Sequence, residues 1–255
     1  MFSHAIVKKP CPAMIDGITT ANLGKPDYAL ALQQHQDYVA ALQACGVAVT
    51  QLEADEAFPD SCFVEDTAVV TKKFALITNP GAPSRKGEIQ SMIPVLQTFY
   101  SADKIEYIQA PGTLEGGDVM MVGDHFYIGL SHRTNQEGAQ QFIRILQKYG
   151  MSGEMVPLHT ILHLKTGVSY QENNNLLISG EFLQNPTFSH FHQIPVEPEE
   201  AYAANCLWIN GKVLVPAGFP HTQKAIEQLG YEVLVVDTSE YRKIDGGLSC
   251  LSLRF

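Results

Sequence analysis

The chain has 255 residues, a formal net charge of -10 and a hydrophobic fraction of 45%. This composition predicts a folded protein with a substantial core, and the acidic balance argues against a nucleic-acid partner, which requires clustered Lys and Arg. No run approaches the roughly 18 apolar residues of a membrane span, and the N-terminus lacks a secretory apolar stretch, so a cytoplasmic protein without membrane association is expected. The five scattered cysteines include no Cys-x-x-Cys pair, which argues against a disulfide framework or a thiolate zinc site.

Taken in chain order, the sequence repeats one pattern of strand, turn, strand, loop, helix and strand. A partial first copy has a strand at residues 5–7, a helix that begins near Tyr28 and a strand at 47–52. The loop at residues 15–27 is rich in Gly and Thr and is interpreted as a mobile lid.

Three clear copies follow. The first has strands at 67–71 and 74–78, a helix that extends to Tyr100 and a strand at 105–108. The next has strands at 118–122 and 125–130 before a helix whose apolar residues have the spacing of one face, namely Ala139, Phe142, Ile143 and Leu146. The third contains a type I′ hairpin signal, and its elements are strands 206–209 and 213–215 around Asn210-Gly211, helix 222–229 and strand 233–236.

Two further segments complete the pattern. Residues 176–178 indicate a degenerate fifth copy, and the apolar alternation of residues 248–253 predicts a last strand that pairs with the first repeat. Repeats of about fifty residues cannot bury their own apolar faces, so they favour one radially closed domain over residues 1–255.

Polar residues concentrate where the predicted repeats end, in segments 60–66, 115–118, 163–167 and 245–250. In a pseudo-symmetric ring these equivalent ends converge on one axial cavity. The topology therefore predicts where a site lies without defining its reaction.

Cys250 follows Gly246 and Gly247, which allow the backbone to approach a ligand closely. Free cysteine is also among the most buried residue types. A structural thiol and a reachable nucleophile are therefore both compatible with this position.

Several histidines are candidates for a catalytic base or for metal ligands. His163 lies in an apolar stretch and is either a core histidine or, together with a cysteine, a general base. His159 and His163 have the i, i+4 spacing of a zinc helix, yet Thr160 stands where the acid is expected. His190 and His192 also lack nearby carboxylates, so neither a metal nor another cofactor is predicted.

Carboxylates form a further group of candidates. Glu115 and Asp118 flank two glycines and fit a turn as well as a site. Glu65 and Asp66 are adjacent at the start of a strand, so one of them is expected to face inward and to need a cation. Asp60 follows a proline and fits either an ordinary loop or a binding role.

Arg85 and Arg133 follow the second strands of two successive repeats at nearly matching positions. Either one alone fits a solvated surface arginine. Their equivalence favours a shared ligand, because two guanidinium groups can fork onto one carboxylate.

Together these segments resemble the dimethylarginine dimethylaminohydrolase family of guanidine-modifying enzymes, the pentein superfamily. The matching motifs span nearly the whole chain and are Asp16-Gly-Ile-Thr-Thr, Phe58-Pro-Asp-Ser-Cys-Phe-Val-Glu-Asp66, Glu115-Gly-Gly-Asp118, His163-Leu-Lys-Thr-Gly167 and Tyr241-Arg-Lys-Ile-Asp-Gly-Gly-Leu-Ser-Cys250. The resemblance implies an α/β fold, a five-bladed α/β propeller of ββαβ modules around a central active-site cavity. It also implies a homodimer and no cofactor.

The resemblance further implies a catalytic trio of Cys250, His163 and Glu115. The implied substrate-binding residues are Asp66 at the guanidinium nitrogens with Glu65 beside it, Arg85 and Arg133 at the α-carboxylate, Asp60 and the backbone of Ile18 at the α-amino group, and the backbone of Ile244 as a further contact.

The implied reaction is hydrolysis of Nω-methylated arginines to citrulline and dimethylamine or methylamine through a covalent thiouronium on Cys250. Carboxylates beside a thiol raise its pKa, so a mostly protonated thiol is expected in the empty enzyme. We hypothesise that the bound cation helps to ionise Cys250. His163 would then protonate the departing amine and later deprotonate water.

Other functions stay open. Arginine deiminase uses a similar constellation, although that family is longer and has an inserted helical region. Agmatine deiminase would leave Arg85 and Arg133 without an anionic partner. A non-catalytic propeller that serves as a binding module and a metal-dependent hydrolase are the remaining alternatives.

Overall fold

A computed structural model describes residues 1–255. The strands, in chain order, are β1 His4–Lys8, β2 Ala48–Leu52, β3 Ala68–Val70, β4 Ala75–Ile77, β5 Ile105–Tyr107, β6 Val119–Val122, β7 His125–Leu130, β8 Ser152–Pro157, β9 Val168–Tyr170, β10 Asn175–Ile178, β11 His192–Pro195, β12 Leu207–Ile209, β13 Lys212–Pro216, β14 Glu232–Val236 and β15 Leu253–Arg254. The α-helices are α1 Tyr28–Ala44, α2 Ile89–Leu96, α3 Gln136–Lys148, α4 Leu164–Gly167, α5 Pro220–Gln228 and α6 Ser239–Arg242. No helix combines the length and apolar character that crossing a membrane requires.

The chain divides into two compact units, Met1–Val64 with Gly167–Phe255, and Glu65–Thr166. The first unit contains the sheets β15-β1-β2, β9-β10-β11 and β12-β13-β14, and the second contains β3-β4-β5 and β6-β7-β8. In every sheet the central strand pairs antiparallel with one neighbour and parallel with the other. The five predicted strand-turn-strand modules are confirmed, whereas a single catalytic domain over residues 1–255 stays a prediction.

In the first unit, one face of helix α1 is buried in the core against the sheet β15-β1-β2. Asp27 caps the helix by accepting a hydrogen bond from the Leu30 N–H, and Ala31, Tyr38 and Leu42 are buried in the core. Their spacings of seven and four residues are those of one helix face. The helix therefore covers the sheet that contains both β1 and β15.

The last predicted strand is wrong in part. Residues Ser249–Leu251 form a 3-10 turn, and only Leu253–Arg254 pairs with β1, in the register Ala5↔Arg254 and Ile6↔Leu253. A side chain, and not a neighbouring strand, satisfies the backbone just before this turn: the Tyr38 hydroxyl donates a hydrogen bond to the Leu248 carbonyl at 2.9 Å. The predicted pairing with the first repeat is confirmed.

The degenerate copy in the first unit has no α-helix between β10 and β11. Two short 3-10 helices, Gly180–Phe182 and Pro186–Phe188, take that place. Gly180 has a φ of 56° and Pro186 lacks an N–H donor, and both features disfavour a continuous α-helix.

In the second unit, helix α3 buries the predicted face, including Ala139, Phe142 and Leu146, against β7 and β8. The helix ends as predicted before Gly150, which has a φ of 71°. The helix predicted to reach Tyr100 is shorter than expected. It is a 3-10 turn at Pro83–Glu88 followed by α2, which ends at Leu96.

Candidate active site

In the first unit, Cys250 lies on the 3-10 turn just before β15. All five cysteines are free thiols, and Cys250 is the one that is not fully buried. The Gly247 N–H donates to its Sγ at 3.4 Å. Cys250 therefore has the accessibility that a nucleophile requires and a backbone donor that favours the thiolate.

The predicted contacts for the α-amino group lie together in the same unit. Asp60 accepts a hydrogen bond from the Ile18 N–H at 3.0 Å through Oδ1. A Cβ placed on Gly17 would lie 2.9 Å from Asp60 Oδ1 and 3.3 Å from Ile244 Cγ2. The structure therefore brings Ile18, Asp60 and Ile244 into one neighbourhood.

The loop predicted as a lid is bonded to the segment that precedes Cys250. Asp245 accepts hydrogen bonds from the Thr20 N–H at 2.5 Å and the Thr20 hydroxyl at 3.0 Å, and the Thr19 hydroxyl donates to the Lys243 carbonyl at 2.9 Å. Asp245 has a φ of 59°, a conformation that is uncommon outside glycine. We call the pair of hydrogen bonds between Thr20 and Asp245 the latch, because it ties the loop to the segment that precedes Cys250.

In the second unit, His163 and Glu115 form a buried pair. His163 Nε2 lies 2.8 Å from Glu115 Oε2, and the other carboxylate oxygen accepts the Ala82 N–H at 3.1 Å and lies 3.4 Å from Arg133 Nη1. A Cβ on Gly117 would overlap His163 Nδ1 at 2.6 Å, so the ring needs a glycine beside it. Glu115 thus fixes the orientation of the imidazole.

Asp66 and Arg85 form a second buried pair in this unit. Arg85 Nη1 donates to Asp66 Oδ2 at 2.5 Å, and Asp66 Oδ1 accepts the Gly117 N–H at 2.9 Å. Arg85 also donates to Glu88 through Nε at 3.0 Å and through Nη2 at 2.8 Å. Arg85 therefore lies between two carboxylates, and its predicted role as a clamp for the substrate carboxylate stays a prediction, as does that of Arg133.

Two contributors to this charge network were not among the candidates from the sequence. Glu88 forms an ion pair with Arg85, and Lys165 donates to Glu65 at 2.6 Å. Asp118, for which the sequence allowed either a turn or a site, accepts the Leu164 N–H at 2.9 Å. The i, i+3 spacing of Arg85 and Glu88 was an available signal, because residues at that spacing are neighbours on one helical turn. The pairing of Glu65 with Lys165 links residues 100 positions apart and had no local signal.

Acidic neighbours determine the protonation of His163. Burial by itself lowers the pKa of the ring, but Asp66, Asp118 and Glu115 outweigh that effect and raise the pKa to about 9. Burial favours a raised pKa at Asp66, yet the charges of Arg85 and His163 lower it to about 2. At neutral pH the site thus holds an imidazolium beside ionised carboxylates.

These pKa shifts predict how stability depends on pH. The pKa of His163 is raised from 6.5 to about 9, so its contribution, on the order of 3 kcal/mol, is fully present below pH 6.5 and is lost as the pH rises through 9. The lowered pKa of Asp66 gives a contribution that is present above pH 3.8 and is lost as the pH falls towards 2. Urea midpoints measured from pH 6 to 10 should fall more steeply in the wild type than in His163→Gln. Parallel profiles would contradict the raised pKa.

A cluster of donor atoms in the second unit has a composition that could hold a metal. Side-chain ligand atoms of Asp66, Glu115 and His163 lie within 4.8 Å of one another. However, Asp66 is bonded to Arg85, and the proton on His163 competes with a metal for the ring nitrogen. The zinc-like spacing of His159 and His163 does not lie on a helix, because α4 begins at residue 164.

Comparisons with known proteins give the family. A family model described as N,N dimethylarginine dimethylhydrolase, eukaryotic, matches residues 22–183. The N(G),N(G)-dimethylarginine dimethylaminohydrolase of Pseudomonas aeruginosa is 57% identical over 255 residues, which are 100% of each protein. A solved structure of the Pseudomonas aeruginosa enzyme, a cysteine-to-serine mutant complexed with citrulline, is 56% identical, covers 100% of both chains and has a TM-score of 0.99.

A more distant structure shares the fold alone. The N-terminal domain of ArgZ, an arginine dihydrolase from cyanobacteria, is 16% identical, covers 100% of this chain and 97% of its own, and has a TM-score of 0.86. The mixed α/β fold predicted from the repeats is thus confirmed. By sequence over its full length and by structure, the chain belongs to the dimethylarginine dimethylaminohydrolase family.

Proposed function

We propose that the chain hydrolyses Nω-methylated arginines, asymmetric dimethylarginine and monomethylarginine, to citrulline and dimethylamine or methylamine. The observation that carries this proposal is the 57% identity to a dimethylarginine dimethylaminohydrolase over the whole of both chains. The citrulline bound to the related solved structure supports an amino-acid ligand of this size and polarity.

The first chemical step forms a carbon–sulfur bond. Cys250 attacks the guanidinium carbon as a thiolate, and the bond from that carbon to the methylated nitrogen breaks. The departing amine needs a proton, and His163, protonated at neutral pH because its pKa is about 9, is suited to donate it. The product of this step is a thiouronium on Cys250 and a free methylated amine.

The second step needs a base. Loss of its proton leaves His163 neutral, and the hydrogen bond to Glu115 keeps the ring oriented. The neutral ring then takes a proton from water, which attacks the thiouronium carbon. Collapse of that adduct breaks the carbon–sulfur bond and releases citrulline, while a proton from the adduct passes to the sulfur and gives the Cys250 thiol. The thiol loses this proton to solvent when the next substrate binds, and the thiolate forms again.

Substrate recognition rests on the seven substrate-binding residues that the family resemblance implied. We propose that Glu65 and Asp66 orient the guanidinium nitrogens, although each already has a cationic partner, Lys165 or Arg85. These partners offset part of the negative charge of the two carboxylates. Arg85 and Arg133 for the α-carboxylate, and Asp60 with the backbones of Ile18 and Ile244 for the amino-acid end, stay proposals.

The decisive experiment is a comparison of three substrates. The wild-type enzyme is incubated separately with asymmetric dimethylarginine, monomethylarginine and arginine, and citrulline is measured from each. Citrulline from the methylated substrates is expected, whereas release from arginine alone would assign the chain as a deiminase. Inactivation by a chelator but not by thiol alkylation would instead indicate a metal-dependent hydrolase, and absence of turnover with any substrate would favour a binding module.

Activation of the thiol by the substrate is a separate proposal. A bound guanidinium beside Cys250 would stabilise the thiolate and so lower the thiol pKa. Thiolate absorbance titrated with and without a cationic substrate analogue, and corrected with Cys250→Ser, measures that pKa. We expect a lower midpoint with the analogue. Equal midpoints would contradict activation by the substrate.

The latch predicts a selective effect on substrate affinity. Asp245→Gly removes both hydrogen bonds to Thr20 while keeping a residue that tolerates the φ of 59°. We expect KM to rise about three- to tenfold with a smaller change in kcat, because the lid closes less often. Lys25→Ala is the matched control in the same loop, since its pair with Asp16 is exposed and contributes little. An unchanged KM for Asp245→Gly would contradict a role of the latch in substrate affinity.

We also propose a cytoplasmic homodimer in which residues 1–255 act as one catalytic domain, with no nucleic-acid partner. The dimer is tested by light scattering on the purified protein over a range of concentrations. A monomer mass at every concentration would contradict it.

A further inference from the structure

The turn that carries Cys250 is tightly closed. The Cys250 N–H donates to the Gly247 carbonyl at 3.2 Å, while the Gly247 N–H donates to Cys250 Sγ at 3.4 Å. The distance between the Cys250 sulfur and the Gly247 N–H therefore depends on the backbone conformation of residues 247–250. A small opening of this turn would separate the donor from the sulfur.

Asn205 contacts this turn at two points. Its Oδ1 accepts the Ser249 N–H at 2.9 Å, and its Nδ2 donates to the Ser249 hydroxyl at 2.9 Å. A Cβ on Gly247 would lie 2.8 Å from both Cγ and Oδ1 of Asn205. One amide thus bonds the residue before Cys250 and packs against the residue that donates to the sulfur.

The position of Asn205 is itself fixed. It is buried, with 7% of its surface exposed, and it follows the 3-10 helix Pro198–Ala204. Its backbone N–H donates to the Tyr202 carbonyl at 3.3 Å, and the Tyr202 hydroxyl donates to the Gly246 carbonyl at 2.8 Å. A side chain anchored in this way can impose its geometry on the turn.

We infer that Asn205 is a positioning residue for the nucleophile, which holds the Gly247–Cys250 turn so that the backbone donor stays against the sulfur. It acts through its contacts with Ser249 and Gly247. This inference rests on the proposed function, in which Cys250 attacks the substrate. An amide suits the role because it offers an acceptor and a donor in fixed geometry and adds no charge beside the thiol.

The test first measures the reactivity of the Cys250 thiol and then measures turnover. The rate of alkylation of Cys250 by iodoacetamide is followed against pH in the wild type and in Asn205→Ala, with the modified residue identified by mass spectrometry. The matched control is Asn210→Ala, which removes an amide that bonds the Phe2 backbone and the Cys45 carbonyl in the same unit. Urea midpoints of all variants report the loss of stability.

We expect Asn205→Ala to raise the pH midpoint of alkylation by at least about half a unit, since the thiolate loses its fixed donor. With asymmetric dimethylarginine, kcat should fall about ten- to hundredfold while KM stays within roughly threefold, because the nucleophile is misplaced and the binding groups are not. Asn210→Ala should lose stability without either effect. Ser249→Ala, which removes only the hydroxyl partner, should shift the midpoint in the same direction by a smaller amount.

The outcomes separate the two proposals. The positioning role would be overturned if Asn205→Ala kept the wild-type kcat and the wild-type pH midpoint of alkylation. It would also be overturned if Asn210→Ala changed both quantities as much as Asn205→Ala does. If Asn205→Ala does not fold, Ser249→Ala decides by the same criterion. The alkylation measurement needs no substrate, so it tests Asn205 even if the wild type produces no citrulline, a result that would refute the proposed function alone.

Discussion

Cys250→Ser is expected to bind asymmetric dimethylarginine and to release no measurable citrulline. A hydroxyl is far less acidic and less nucleophilic than a thiol, so the carbon–sulfur intermediate has no counterpart and turnover should fall by at least roughly a thousandfold. Serine is close to cysteine in size, so the dissociation constant should change only a few-fold. Citrulline release gives the rate, and calorimetric titration gives the affinity.

The matched control for this substitution is Cys206→Ser. Cys206 is fully buried in an apolar cluster and donates from Sγ to the Ala203 carbonyl at 3.0 Å, a bond that a serine hydroxyl can also make. Burial raises the pKa of Cys206, so it is not expected to react. Cys206→Ser should therefore remain active. Normal turnover by Cys250→Ser, or equal losses in both variants, would remove Cys250 from the mechanism.

His163→Ala is expected to lower kcat by about 10²- to 10⁴-fold, the usual range for loss of a general acid and base. In the proposed mechanism both steps need this ring, so hydrolysis of the thiouronium should slow as well as its formation. Intact mass spectrometry of the quenched reaction would then show the adduct on Cys250. Above pH 9 the wild type should also lose activity, since the raised pKa of His163 means that its proton is lost there.

The control for this second substitution is His35→Ala. His35 is another buried histidine, with 2% of its surface exposed, but burial lowers its pKa to about 4, so it stays neutral at working pH. Loss of the packing around His35 should lower the stability of the protein without changing kcat. Comparable kcat losses in His35→Ala and His163→Ala would show that instability, and not acid–base catalysis, is responsible.

Sequence periodicity predicted the modules because each one needs the same local signals. The apolar face of α3 and the turn at Asn210 and Gly211 are both readable within about twenty residues. The candidate side chains were found for a related reason. Polar residues that follow an apolar strand stand out against their surroundings, and the motifs that contain His163 and Cys250 fall at such positions.

The parts that sequence could not predict are those that depend on distant partners. Apolar alternation over residues 248–253 fits a strand as well as a buried turn, and the turn prevails because Tyr38 and Asn205 bond its backbone. In the same way, only the folded chain places Lys165 on Glu65. Charge compensation of this kind has no local period, so no pattern indicates it.

The pairing of β15 with β1 has a consequence for the order of folding. The parallel partner of β1 is β2, which is complete by residue 52, whereas its antiparallel partner consists of residues 253–254. During synthesis one edge of β1 therefore stays open while about two hundred further residues are added, and closing that loop is entropically slow. The edge is a place where unfinished chains can associate with one another. It is sealed only after residues 253–254 have been made, so this sheet can be completed only in chains that already contain Cys250, the proposed nucleophile.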